Sequence, residues 1–273
     1  MEKLNLTKVK FRASEIGTLV GALQMGLTEA QDRELKKLQD KIESGKKLTP
    51  LQEIKIKELQ DKKTAPPMLT KGGVSFLETK LKELIFGRRK EITTKQMEKG
   101  TDVENESIEI YSDVTGQKYI KNDLRHENDW ISGEFDLEQP DDDKIIDIKS
   151  SWDLFTFPMF KTKLDNNIYK WQVKAYAWLT GRTKGEVAYV LTNTPENIIQ
   201  DEIFRFGRNN GMIDVPLKIE KEIRKQHTYD DIPYKFRVKR FEVEIEPEKD
   251  AEIIKIAVET ARQYLIELSH NLG

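Results

Sequence analysis

The 273-residue sequence has no cysteine, which excludes disulfides, thiol catalysis, cysteine-ligated zinc and iron–sulfur clusters. Its three histidines, His126, His227 and His270, are scattered and lack the spacing of a histidine metal site or of a Ser–His–Asp triad. Net charge is almost absent: 46 Lys+Arg stand against 48 Asp+Glu. No overall positive field draws the chain to nucleic acid, so any such binding must come from local patches. No apolar run approaches membrane-spanning length, and the N-terminal MEKLNLTKVKF lacks an apolar signal core. These features point to a soluble, cytoplasmic protein. A phosphate-binding Gly-x4-Gly-Lys-Ser/Thr loop is missing too. The nearest fragment, SGKKLT at 44–49, has Asp40 where the first glycine belongs, which argues against an ATP-driven enzyme.

What the chain does have is charge of both signs, at 34% of residues, as expected of helices with solvated faces. Residues 27–41 and 48–62 form an internal repeat. Each copy opens with a capping signal, Thr28 to Gln31 and Thr49 to Gln52, and Pro50 stands at the first helical position of the second. The intervening ESGKK predicts a turn and TAPPM a stop, so 27–65 is expected to be an inserted α-helical hairpin. Two roles remain open for it: a solvated excursion for a partner contact, or a DNA-guiding arm. Beyond it, SFLETKLKELIFGRRK has helical spacing at Phe76, Leu81, Leu84 and Ile85. A second helix is expected over 95–112, strands near 118–121, 131–137 and 144–149, a helix over 167–180 and a strand over 186–193. After 205 the pattern is less legible until an alternating strand at Val238, Phe241, Val243 and Ile245 and a long terminal helix. This order reads as a mixed α/β fold. The expectation is a single domain over 1–273, with a core at 75–193 and a strand and long helix in 205–273.

The chemistry concentrates in GEFDL followed by IIDIKSS. In a strand, alternate residues share a face, so Asp147 and Lys149 point one way and Ile146 and Ile148 the other. An acid beside an amine on a buried strand is either a structural ion pair or part of a site. A hairpin through EQPDDDK would bring Asp136 beside Asp147. Two adjacent carboxylates repel unless something positive lies between them, and a hard cation such as magnesium, held by oxygen ligands, suits the pair. The conspicuous Asp141, Asp142 and Asp143 read as the solvated turn itself, around Pro140. Upstream, Met97, Gly100, Glu104, Ile108 and Tyr111 fall on one helical stripe, which turns Glu104 inward; Gly100 is expected to let that helix approach the sheet. On the later helix Ile168, Gln172, Ala175, Tyr176 and Leu179 share a stripe. Gln172 is then a buried amide that needs a partner, either the site itself or the backbone.

Glu104, GEFDL with Asp136, IIDIK with Asp147 and Lys149, and the QVKAY spacing of Gln172 and Tyr176 together resemble the PD-(D/E)XK nuclease superfamily. Within it they are similar to the RecB-type and lambda-type (YqaJ-like) phage exonucleases. The resemblance covers about residues 75–193. It implies a restriction-endonuclease-like core, a central mixed sheet flanked by helices. It also implies one or two Mg2+ or Mn2+ ions held by Glu104, Asp136, Asp147 and the Ile148 backbone carbonyl. Lys149 would orient the attacking water or stabilise the oxyanion, with Gln172 positioning it and Tyr176 one turn beyond. FRASEIGTLVGA resembles the start of such exonucleases, where Ser14 with Arg12 and Lys10 would hold a terminal DNA phosphate; Ser14 also suits a helix cap. The implied activity is hydrolysis of phosphodiester bonds in linear DNA, in phage-type recombination or DNA processing within a bacterial host cytoplasm. Implied partners are an end-bound linear DNA, a single-strand annealing protein, and further copies of the chain in a trimer. A site-specific endonuclease of the same superfamily and a catalytically silent DNA-binding or assembly protein are the alternatives. SWDLFTFPMF, with Trp152, Phe155, Phe157 and Phe160, either packs in the core or stacks on nucleotides. The basic runs Arg88–Arg89–Lys90 and Arg237–Arg240 are either solvated surface or phosphate contacts.

Overall fold

The computed structural model describes residues 5–27, 29–89, 93–138 and 143–271. In chain order the first elements are β1 (Phe11–Arg12), α1 (Ala13–Gly21), β2 (Leu23–Gln24), α2 (Glu29–Glu43), α3 (Pro50–Thr64) and β3 (Met68–Leu69). Next come α4 (Lys71–Phe86), α5 (Lys95–Asp102), α6 (Glu104–Thr115), β4 (Ile120–Lys121), β5 (His126–Glu127), β6 (Ile131–Gly133) and β7 (Leu137–Glu138). The remainder are β8 (Lys144–Ser150), α7 (Asn167–Thr180), β9 (Lys184–Val190), α8 (Glu196–Asn209), α9 (Leu217–His227), β10 (Val238–Glu244) and α10 (Pro247–His270). The chain divides into two compact units, one of Met1–Val9, Thr18–Gly87 and Lys255–Gly273, the other of Lys10–Gly17 and Arg88–Ile254.

In the first unit, β2 and β3 pair antiparallel, closing the base of an excursion that carries α2 and α3. Leu35, Leu38 and Leu59 form its small core, with Leu27, Leu48 and Ile56 packed around them. The capping box at Thr49 and Gln52 is complete; the matching cap at Thr28 lies outside the described residues. The expected helical hairpin is therefore present.

In the second unit, the sheet order is β10–β9–β8, with β8 parallel and β10 antiparallel to β9. Central β9 is buried on both faces, as Val187, Ala188 and Val190 show. One face carries Ile146, Ala188 and Val190 against Ile108, Ile110 and Tyr111 of α6, with Ile148 alongside. The other face takes α7, whose close approach rests on Gly185: a Cβ there would stand 2.5 Å from Val173 Cγ1. Helices thus cover both faces of a mixed sheet, the α/β architecture expected. A smaller sheet orders β1–β6–β5, with β1 parallel and β5 antiparallel to β6.

Three details differ from the sequence reading. The helix expected over 95–112 is broken at Val103 (φ −104°, ψ 14°) into α5 and α6, so Glu104 opens a helix rather than sitting mid-stripe. The strand expected over 131–137 divides into β6 and β7, and β7 pairs with β4 instead of β8. No helix was expected between the strand at 186–193 and the one near 238, and this stretch contains α8 and α9.

Candidate active site

Strand β8 places Asp147 and Lys149 on one face and Ile146 and Ile148 on the other, as alternation requires. Asp147 is wholly buried, and its Oδ2 lies 2.8 Å from Lys149 Nζ. Neither carboxylate oxygen has a well-oriented hydrogen-bond donor among the described residues. Asp136 arrives without a β7–β8 ladder: its Oδ2 accepts a hydrogen bond from the Ile148 amide at 2.7 Å. One side-chain bond to the backbone thus does what paired strands were expected to do. Pro140, Asp141 and Asp142 of the expected turn lie outside the described residues. Asp143 is exposed and accepts hydrogen bonds from the backbone and hydroxyl of Thr183, which holds its carboxyl below the usual range.

Burial, and then the charge of Asp147, pushes the Asp136 carboxyl up. Burial raises Asp147 as well, opposed by Lys149. Burial pulls the Lys149 ammonium down, but Asp147 and Asp136 outweigh it and the net shift is upward. Lys149 therefore stays protonated, its Nζ 4.9 Å from the centre of the Tyr169 ring, a cation–π contact. Behind the carboxylates, Gln172 Nε2 donates to Tyr176 Oη at 3.2 Å. The expectation for Gln172 was a bond to the site, as Lys149, a metal-bound water or a phosphate, or to the backbone; here its amide donates to Tyr176. Burial, with Asp147 next, raises the Tyr176 hydroxyl to about 12, so it remains a neutral donor. Tyr176 fits because Gly133 has no side chain, since a Cβ there would be 2.7 Å from Tyr176 Cε1. The α7 stripe is shifted slightly from expectation: Gln172, Val173, Ala175, Tyr176 and Ala177 are buried, while Ile168 is 43% exposed.

Asp136, Ile148, Lys149 and Ser150 open onto a cleft of about 490 Å3 whose other walls include Met97, Gly100, Glu104, Tyr169 and Tyr189. Glu104 reaches the cleft but is engaged by Lys121 Nζ at 2.6 Å. Among the described residues no three acids or histidines stand close enough together to form a ready metal cluster. Gly100 does not serve a helix–sheet approach, because nothing lies within 4 Å of a Cβ placed there; it widens the cleft instead. Tyr111 leaves the Glu104 stripe for the core, where it donates to Glu186 at 2.6 Å. A larger groove of about 570 Å3, lined by Lys163, Lys170, Lys174 and Arg240, contains none of these carboxylates. The smaller cleft is the one with chemistry.

The N-terminal candidates stand apart from this cluster. Arg12 donates through Nη2 to Glu15 Oε1 at 2.7 Å, and its backbone amide donates to Glu15 Oε2 at 2.8 Å. Glu15 is thus half of a capping box. Ser14 lies exposed inside the first turn of α1 and is not its cap. Lys10 pairs with Glu127 at 3.2 Å. Of the basic runs, Arg237 is buried, donating to Leu191 O at 2.7 Å and to Glu106 at 3.3 Å. Arg240 pairs with Glu186. Both are structural and do not present a phosphate-binding face. Arg88 and Arg89 are exposed; Lys90 lies outside the described residues.

The sequence reading missed Lys99. It is 1% exposed and donates to Trp152 O at 2.8 Å and Thr192 O at 3.0 Å. It joins α5, one wall of the cleft, to the segments that follow β8 and β9. Its signal was present: Lys99, Val103, Ser107 and Ile110 recur at helical spacing and all four are buried.

No family model matches the chain. No curated protein matches its sequence. Among solved structures, a phage-related exonuclease from Haemophilus somnus 129PT superposes with a TM-score of 0.71 at 22% identity, over 98% of this chain and 99% of that one. The fold is shared with phage-related exonucleases. An alkaline exonuclease from Laribacter hongkongensis matches with a TM-score of 0.53 at 13% identity, over 98% of this chain and 96% of that one. The mixed α/β core, expected from four short motifs to be exonuclease-like, is thereby borne out as a fold. Asp136 and Lys149 line the cleft, and Asp147, in the middle of β8, lies against Lys149.

Proposed function

We propose that the protein is a metal-dependent DNA exonuclease that hydrolyses phosphodiester bonds of linear DNA. The carrying observation is the meeting of Asp136 with Asp147 midway along β8, with Lys149 beside them at the cleft. The exonuclease folds it matches support the same reading. Asp147 is buried, with Lys149 at its Oδ2 and no donor at its Oδ1 among the described residues, and its charge raises the pKa of the neighbouring Asp136. Such a pair fits a hard cation. Asp136, Asp147 and the Ile148 carbonyl would hold Mg2+ or Mn2+, with Glu104 joining once it leaves Lys121. The cation, when bound, makes hydroxide accessible near neutral pH and neutralises charge on the scissile phosphate.

The chain's own groups supply the rest. The Ile148 amide fixes the Asp136 carboxylate. Lys149, protonated and 22% exposed at its side chain, faces the cleft as a donor for the charge that develops on phosphate oxygens. Tyr169 restrains its ammonium. Gln172 and Tyr176 act as positioning residues behind the carboxylates. Arg12, paired with Glu15, and exposed Ser14 are the candidates for a DNA-end phosphate contact.

The test is digestion of end-labelled linear duplex against a closed circle, with Mg2+ and with EDTA. Linear DNA should be degraded only with the metal, and Asp136→Asn, Asp147→Asn and Lys149→Met should each lose 10²-fold or more, the scale of removing one charge-stabilising group. Cleavage of the closed circle would make the enzyme an endonuclease, and full activity in EDTA would remove the metal.

A further inference from the structure

Lys149 has a charged partner but no fixed direction. Its Nζ lies 2.8 Å from Asp147 Oδ2, yet that contact is not a well-oriented hydrogen bond. Its ammonium has no other ion pair or hydrogen bond among the described residues. A Coulombic attraction depends on distance, so Asp147 keeps the charge near β8 without aiming it. On the nuclease reading the same carboxylate is shared with a cation, which loosens its hold on the ammonium further. The contact that remains is the ring of Tyr169, whose centre is 4.9 Å from Nζ. The face of an aromatic ring is negative, and a cation within about 6 Å of its centre is attracted to it.

The fold gives that ring a firm mount. Tyr169 stands in the first turn of α7, where Asn166 Oδ1 accepts from the amides of Ile168 at 2.9 Å and Tyr169 at 3.3 Å. Tyr189 is the in-register partner of Lys149 across β8 and β9, so the two side chains leave the same face side by side. The Tyr169 and Tyr189 ring centres are 6.3 Å apart, and Tyr189 meets Phe241 of β10 edge-on at 5.9 Å. Both separations are those of attracting aromatic pairs. A row of rings therefore runs from β10 across β9 to Lys149, and its last two members, Tyr189 and Tyr169, line the cleft with the lysine.

We propose that the face of Tyr169, backed by Tyr189, is an aromatic clamp that aims the Lys149 ammonium into the cleft, which makes Tyr169 a positioning residue for phosphodiester hydrolysis. This rests on the nuclease reading and deepens it. The charge that Lys149 meets on phosphate oxygens develops in the transition state, so loss of the clamp should fall on kcat rather than on KM.

Two readouts on the full-length protein test this. The first is steady-state digestion of linear duplex with Mg2+. Tyr169→Leu removes the ring and should lower kcat about 2- to 30-fold, the effect of losing one cation–π contact. Its KM should change less than about 2-fold, because ground-state binding is untouched. Tyr169→Phe keeps the negative face without the hydroxyl and should recover most of the loss. Replacing Tyr169 by pentafluorophenylalanine, which keeps the shape but reverses the charge of the face, should not. The second readout needs neither metal nor DNA. In protein labelled with 13C at lysine Cε, the Lys149 signal, assigned by its absence from Lys149→Met, should be shifted upfield by the ring in wild type and Tyr169→Phe but not in Tyr169→Leu. Tyr169→Phe as slow as Tyr169→Leu would assign the effect to the hydroxyl, and a fluorinated ring as effective as phenylalanine would show space filling. Either result overturns the clamp, as does an unshifted Lys149 signal in the wild type. If the wild type digests linear DNA and one of these results appears, the clamp alone falls. If the wild type does not digest DNA, the nuclease reading falls and the positioning role with it.

Discussion

Lys99 makes a sharp test of how this fold handles a buried charge. Its ammonium is 1% exposed and bonds to two carbonyls, with no carboxylate at ion-pair distance among the described residues. Burial is the largest influence and lowers its pKa from 10.5 to about 8, against opposing contributions from Asp153 and Glu106. That difference corresponds to about 3 kcal/mol. Between pH 8 and pH 10.5 the unfolded chain keeps a proton that the folded chain has released. The unfolded state therefore binds more protons, and stability rises with pH through that window. Below pH 8 both states are protonated and the full cost of burying the charge is felt. Urea unfolding followed by tryptophan fluorescence should be run on wild type and Lys99→Met from pH 7 to pH 10.5. Comparison with the variant cancels the titration of surface groups. The stability of wild type relative to Lys99→Met should increase by about 3 kcal/mol across the window. A flat difference would refute the lowered pKa, and a decrease would mean that a carboxylate pairs with Lys99 in solution.

Two further outcomes follow from packing. Arg237→Met removes a buried guanidinium that donates to Leu191 O and Glu106; it should cost about 1–3 kcal/mol in urea unfolding, because the Leu191 carbonyl loses its donor, whereas no measurable loss would show a solvated side chain. Gly133→Ala forces a methyl to within 2.7 Å of Tyr176 and 2.8 Å of Ala13, so it should destabilise by about 1–3 kcal/mol. It should also lower kcat by displacing Tyr176, and unchanged activity would remove Tyr176 from the positioning role.

The candidate acids and lysine were legible because strand alternation and short motif spacing are local properties: Asp147 and Lys149 share a face whatever surrounds β8. The helical hairpin was legible for the same reason, since capping residues and a repeated apolar spacing need no distant partner. What the sequence could not decide was which group meets which. Asp136 reaches Ile148 through a side-chain bond to a single amide because β7 is taken by β4, and strand pairing is a choice among distant segments. Arg237 and Arg240 look like a basic run, yet Glu106, Glu186 and the Leu191 carbonyl draw both into the fold. Glu104 was read as an inward-facing acid, but only the fold brings Lys121 to pair with it. Local chemistry thus determined the candidate groups of this protein. The tertiary structure decided which of them are paired, buried or left facing the cleft, because desolvation and ion pairing depend on neighbours that are far away in the chain.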